Sequence, residues 1–153
     1  MENKFFLHRI RKDGSTYNKG IEVHDTLDSA IQSFHAQMKM AYNNPSNPNT
    51  TFVSCMVTDS NDNIVPNYNE TWDIGNNADF FVHYIRHDGD TYTKGIDVFP
   101  NYLDACRMFH TYMEYGYGNT RYPNVSFVAS KITGNPPIPH KSEVWVKPES
   151  AEA

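Results

Sequence analysis

The stretch Phe5–Val23, FFLHRIRKDGSTYNKGIEV, returns 75 residues later as Phe80–Val98, FFVHYIRHDGDTYTKGIDV. In each copy an Asp-Gly sits between two β-rich runs, and that pattern predicts a hairpin because both residues tolerate positive φ. Strands 4–11 and 16–23 are expected to pair, as are 79–86 and 91–98. With Asp13-Gly14 as a two-residue loop, Ile10 lies opposite Tyr17, His8 opposite Lys19 and Phe6 opposite Ile21. The period of two then sorts side chains onto faces. One face holds Phe6, His8, Ile10, Tyr17, Lys19, Ile21 and Val23. All seven recur unchanged, as Phe81, His83, Ile85, Tyr92, Lys94, Ile96 and Val98. The other holds Phe5, Leu7, Arg9, Arg11, Thr16, Asn18, Gly20 and Glu22, of which four recur. The first face is the constrained one.

Outward from the hairpin the match continues without a gap through Thr58 and Thr133, with 24 identities in 54 positions. After a two-residue deletion Val65, Pro66, Glu70 and Trp72 correspond to Ile138, Pro139, Glu143 and Trp145. A helix is expected next, capped by Asp25-Thr26 or Asp28 and, in the second copy, by Asn101 or Asp104. Leu27, Ala30, Ile31, Phe34, Met38 and Ala41 fall at helical spacing, and their counterparts are Tyr102, Ala105, Cys106, Phe109, Met113 and Gly116. That stripe is expected to cover the constrained sheet face. Asn/Pro-rich segments, 43–50 and 118–124, end the helices. A third strand follows through Phe52–Thr58 and Phe127–Thr133, and a short fourth one carries Trp72 or Trp145.

The chain therefore reads as α+β: two tandem ββαββ repeats related by a pseudo-twofold, antiparallel sheet with one helix per repeat. Repeat 1 is assigned to residues 1–75, repeat 2 to 76–148 and a tail to 149–153, with Gly75–Ala78 as the joint. A unit of roughly 70 residues leaves much of its surface uncovered and is marginal alone, so the halves are expected to share one core or one sheet.

Composition narrows the function classes. The net charge of −5 is spread evenly, six Lys/Arg and nine Asp/Glu up to residue 76 and seven and nine after it. No basic stripe favours nonspecific nucleic-acid binding, and no acidic run resembles a nucleic-acid mimic. No signal peptide or membrane-spanning stretch is expected. Cys55 and Cys106 occupy non-equivalent positions, which reads as two free thiols in a reducing compartment.

The constrained face carries a histidine and a lysine among apolar residues, and a lysine there must find a partner, reach solvent or lower its pKa. His35 and His110 follow Phe34 and Phe109 on the helices. One reading is a polar ligand pocket in each repeat, made of His8, Tyr17, Lys19 and His35 and of His83, Tyr92, Lys94 and His110, able to hold an anionic or nucleotide-like ligand. In the other, the histidines make structural hydrogen bonds and Lys19 snorkels outward. Arg11 and Arg86 beside the turns either grip a partner's carboxylate or phosphate or pair with a neighbouring acid. Tyr112 and Tyr115, where the first repeat has Gln37 and Met40, and Tyr117 and Tyr122 after them form an aromatic patch specific to repeat 2. It serves either a protein contact or internal packing. The histidines are too scattered for a metal set, no cofactor is implied, and no nucleophile elbow, phosphate loop or dinucleotide fingerprint is present.

The run Lys19-Gly20-Ile21-Glu22-Val23, then Asp25-Thr26-Leu27-Asp28, Phe34-His35 and Met38, resembles small uncharacterised proteins encoded by phages and prophages of gut Firmicutes, often one repeat long. The second copy departs from it at Phe99-Pro100-Asn101-Tyr102. The resemblance implies no catalytic residues. It implies a phage-encoded protein, cytoplasmic in the host cell or virion-associated, and, if single-repeat relatives pair as homodimers, a fused equivalent of such a dimer. The function expected is noncatalytic binding: sequestering or inhibiting a host protein or a small anionic ligand as a defence antagonist. The alternatives are a structural component of a virion, with homo-oligomerisation, and, third, an enzyme.

Overall fold

The structure, a computed structural model, describes residues 3–42, 48–118, 121–134 and 139–148. Strands β1 (Phe5–Asp13) and β2 (Thr16–His24) precede helix α1 (Leu27–Tyr42), followed by β3 (Thr50–Thr58) and β4 (Ile64–Asp73). The same order repeats as β5 (Phe80–Asp88), β6 (Thr91–Phe99), α2 (Tyr102–Tyr117), β7 (Val125–Thr133) and β8 (Lys141–Val146). The chain divides at Ala78/Asp79 into two compact units. Among the described residues the strands pair into two four-stranded antiparallel sheets, ordered β2-β1-β3-β4 and β6-β5-β7-β8, not into one continuous sheet. Ile138, aligned above with Val65, and the tail 149–153 lie outside the described residues.

The hairpin register differs from the sequence expectation by two residues. Asp13 pairs with Thr16, so Gly14 and Ser15 form the loop, and Gly14 has φ +62°. Positive φ at the first central position alone is the mark of a II′ turn, which takes glycine there. Asp13 stays in the strand because its carboxylate is held, by Arg11 Nε at 3.0 Å and by the Thr50 hydroxyl at 2.6 Å. Gly89, at φ +58°, repeats the turn. His8 therefore faces Ile21, and Lys19 faces Ile10. A shift of two preserves parity, so the residues predicted to share a face do share it.

Which face the helix covers is a larger correction. Ala30, Phe34, Met38 and Ala41 of α1 pack on Leu7, Val53, Cys55 and Val57, and in repeat 2 Ala105, Phe109 and Met113 pack with Val82, Val128 and Ile132. Leu7 and Val82 belong to the less constrained face. The face of Phe6, His8, Ile10 and Ile21, joined by Phe52, Met56 and Thr58 of β3, is nevertheless buried, as are its counterparts. The central strands β1, β3, β5 and β7 are thus buried on both sides. The recurring Phe6, His8, Ile10 and Ile21 therefore mark a buried layer and not the position of the helix. Each buried phenylalanine contributes roughly 2–3 kcal/mol relative to exposure. Exposed surface ion pairs add at most about 1 kcal/mol each, so the apolar layers decide the fold.

The helix starts follow local chemistry. The Ser29 N–H donates to Thr26 Oγ1 at 3.1 Å, and the Asp104 N–H to Asn101 Oδ1 at 2.9 Å. Thr26 and Asn101 are the N-caps, each from the pair of candidates that the sequence offered.

Candidate functional site

The two pockets expected around the histidines are not assembled. His8 is buried on the helix-free face, with Nε2 2.8 Å from Thr58 Oγ1, and His83 repeats the contact with Thr133 at 2.7 Å. His35 and His110 are exposed on helices that lie over the opposite face, each edge-on to its preceding phenylalanine. Lys19 and Lys94 point to solvent. Tyr17 lies under Lys12, and its hydroxyl accepts from Asn77 Nδ2 at 2.7 Å; Tyr92 packs on His87. Burial, aided by the Lys131 charge, pushes the His83 pKa down to about 3. Lys131 itself is buried on the helix-free face where repeat 1 has Met56, and it donates to Ser142 Oγ at 3.0 Å. The substitution of lysine for methionine at aligned positions was the available signal for this site.

The chemistry that differs between the copies gathers on the other face, where the helix crosses the hairpin. In repeat 2 the Tyr84 and Tyr112 rings stack at 4.0 Å, 16° from parallel, and the Tyr112 hydroxyl donates to Asp97. Burial first, and then the Asp97 carboxylate, drive the Tyr112 pKa far up, so this phenol stays protonated. Arg86 pairs with Asp88 at 3.0 Å and lies 4.4 Å over the Tyr115 ring, which also contacts Tyr122 at 4.7 Å. Thr93, Tyr84, Arg86, Tyr112, Tyr115 and Val128 contribute to the lining of a cavity of about 240 Å³. A second hollow of about 400 Å³ is lined by Thr111, Glu114, Tyr115, Gly118, Arg121 and Tyr122. Tyr115 borders both. Of these residues Arg86, Tyr112, Tyr115 and Tyr122 were legible in the sequence. Tyr84, Thr93, Asp97 and Arg121 were not, although all four differ from their repeat 1 counterparts Arg9, Asn18, Glu22 and Ser46.

In repeat 1 the corresponding space holds a polar network. Arg9 donates to Asn18 Oδ1 at 3.0 Å and lies 3.5 Å from Glu22 Oε2. Glu22 Oε1 accepts from Ser33 Oγ at 2.7 Å and sits 2.9 Å from His24 Nε2, while His24 Nδ1 is 2.7 Å from Ser29 Oγ. Partial burial works to raise the Glu22 pKa, but the Ser33 and His24 hydrogen bonds and the charges of His24 and Arg9 lower it on balance. Arg11, paired with Asp13, reaches Met40 S at 3.5 Å. Both recurring arginines therefore bind the neighbouring acid, as the second sequence reading had it.

Cys55 and Cys106 are free thiols. Among the described residues no group of three or more His, Cys, Asp or Glu is placed to hold a metal ion, and no helix is long and apolar enough to cross a membrane. In comparisons with known proteins, no family model, no curated protein and no solved structure matches the chain.

Proposed function

We propose that the chain is a binding protein whose ligand surface is the tyrosine-lined side of the second repeat, where α2 crosses β5 and β6. The observation that carries this reading is Tyr115, which borders both hollows with Arg86 against its ring. A cavity of about 240 Å³ is small beside drug-sized sites, which start at roughly 300 Å³, and suits one planar ring. Arg121, exposed at the rim of the adjoining hollow, offers a charge to an anionic group. A ligand with one aromatic ring system and an acidic group, of nucleotide kind, satisfies both features. In the phage setting that the sequence resemblance implies, such a protein would sequester a host's nucleotide-like ligand and so act as a defence antagonist. A host protein presenting the same groups is the other partner of this class.

Calorimetric titration with a panel of nucleoside mono- and triphosphates tests this. Saturable binding is expected for at least one, weakened about tenfold or more in Tyr115→Ala, since loss of one stacking ring costs roughly 1–3 kcal/mol. No saturable heat for any of the panel removes the nucleotide reading.

A further inference from the structure

His24 is held at both ring nitrogens by groups of opposite chemical role. Glu22 and His24 are two residues apart on β2 and so share its helix-facing side. The chain then turns through Asp25 and Thr26 into α1, which brings Ser29, in the first helical turn, back to the imidazole. The distances are 2.9 Å from Glu22 Oε1 to His24 Nε2 and 2.7 Å from His24 Nδ1 to Ser29 Oγ. An ionised carboxylate only accepts, so Glu22 fixes the proton of neutral His24 on Nε2 and leaves Nδ1 as acceptor. The Ser29 hydroxyl must then donate to Nδ1. Ser29 is exposed at the surface, while the His24 and Glu22 side chains keep 16% and 32% of their accessibility. The hydroxyl is not needed to cap the helix, because Thr26 Oγ1 already takes the Ser29 N–H. Repeat 2 has Asp97, Phe99 and Asp104 at the three positions, so the arrangement belongs to repeat 1 alone.

We propose that Ser29, His24 and Glu22 act as nucleophile, general base and orienting acid in acyl transfer from uncharged carboxylic esters to water. Ser29 Oγ attacks the ester carbonyl carbon as its proton passes to His24 Nδ1, and the carbonyl π pair moves onto oxygen. Collapse re-forms the carbonyl and breaks the bond to the leaving oxygen, which takes the proton from His24. Water then attacks the acyl-Ser29 ester and gives a proton to His24; the bond to Oγ breaks, and Oγ recovers that proton. The balance is ester plus water to acid plus alcohol. The Leu27 and Asp28 N–H groups, which no helical carbonyl can reach, and the positive end of the α1 dipole supply stabilisation for the oxyanion. The surrounding charges select the substrate class. Asp25, Asp28 and Glu22 outnumber Arg9 and Lys4, and Lys4 is paired with Asp25 at 2.5 Å, so an anionic ester is repelled. This proposal stands apart from ligand binding at repeat 2 and survives its failure.

An alkyl fluorophosphonate, which labels activated serines and spares ordinary ones, tests it on the full chain, with the adduct mapped by peptide mass spectrometry. The expected result is labelling at Ser29, slowed about a hundredfold in His24→Gln, the scale of a general base, and unchanged in Ser15→Ala, in the exposed turn between β1 and β2. Release of p-nitrophenol from p-nitrophenyl acetate should fall in parallel in Ser29→Ala. A folded wild-type chain that carries no adduct on Ser29 under excess probe overturns the proposal. So does labelling of Ser29 no faster than that of Ser33. Should His24→Gln fail to fold, the wild-type adduct position alone decides between these outcomes.

Discussion

The Tyr84 ring stacks on Tyr112 at 4.0 Å, and its cross-strand neighbour Gly95 makes room for it: a Cβ at Gly95 would come 2.7 Å from the Tyr84 hydroxyl. The equivalent Gly20 lies under Arg9, where a Cβ would meet the guanidinium tip at 3.3 Å. The same recurring glycine thus serves a rigid ring in one copy and a flexible chain in the other. Gly95→Ala should cost about 1–3 kcal/mol, as overpacking does. Gly20→Ala should stay near neutral, because Arg9 can shift and alanine restricts the unfolded chain. Urea denaturation of both variants checks the difference, and equal effects would contradict it.

Gly116 tests packing against propensity. It takes the place of Ala41 on the buried helix stripe, and a Cβ there would lie 2.7–2.9 Å from the Trp145 indole. Helix propensity alone predicts that Gly116→Ala stabilises by about 1 kcal/mol. The contact with a bulky, partly buried ring predicts net destabilisation by about 1–2 kcal/mol. The sign of the measured change in the denaturation midpoint distinguishes the two.

His83 should make stability depend on pH. Its pKa falls from an ordinary 6.5 to about 3 on folding, so the unfolded chain binds more protons throughout that window. The contribution is complete above pH 6.5 and is lost as pH falls toward 3. At pH 5 the loss is about 2 kcal/mol. Lys131 on the facing strand keeps the site positive, and the carboxylates Glu22 and Asp25, whose pKa values are lowered, act only further into acid. His83→Gln, which can still bond to Thr133, should flatten the slope between pH 5 and 7. Parallel slopes in wild type and variant would exclude His83 as its source.

The two thiols should differ in reactivity. Burial pushes the Cys55 pKa up to about 12, whereas Cys106 is half-buried. Because the thiolate is the reactive form, alkylation of the native chain should modify Cys106 alone, and modification in denaturant should reach both. Native labelling of Cys55 would show that its layer opens readily.

The sequence was sufficient for the repeat, the element order, the helix stripe and the parity of the hairpin faces, because each rests on periodicity or on a gapless internal match. It misplaced the turn by one residue, since Asp13 looks like a loop residue until Arg11 and Thr50 are seen to hold it in the strand. It misjudged the helix face because the recurring Phe6, His8 and Ile10 are buried without a helix above them. A pocket joining His8 to His35 required the helix on the His8 side of the sheet, and of the two readings only the structural hydrogen bond, between His8 and Thr58, is formed. The Ser29–His24–Glu22 relay was invisible because its members are ordinary residues joined only by the geometry of the β2–α1 turn.

The proposed binding site lies where the helix-facing sides of the two copies, built on one scaffold, differ. Amide and aromatic NMR shift mapping of the full chain, titrated in turn with each nucleoside mono- and triphosphate of the calorimetric panel, tests this most directly. The predicted result is a set of shifts confined to Tyr84, Tyr112, Tyr115, Arg121 and their neighbours, with Arg9, Gln37 and Met40 of repeat 1 unmoved. Shifts of equal size at both sets, or none at either, would contradict it.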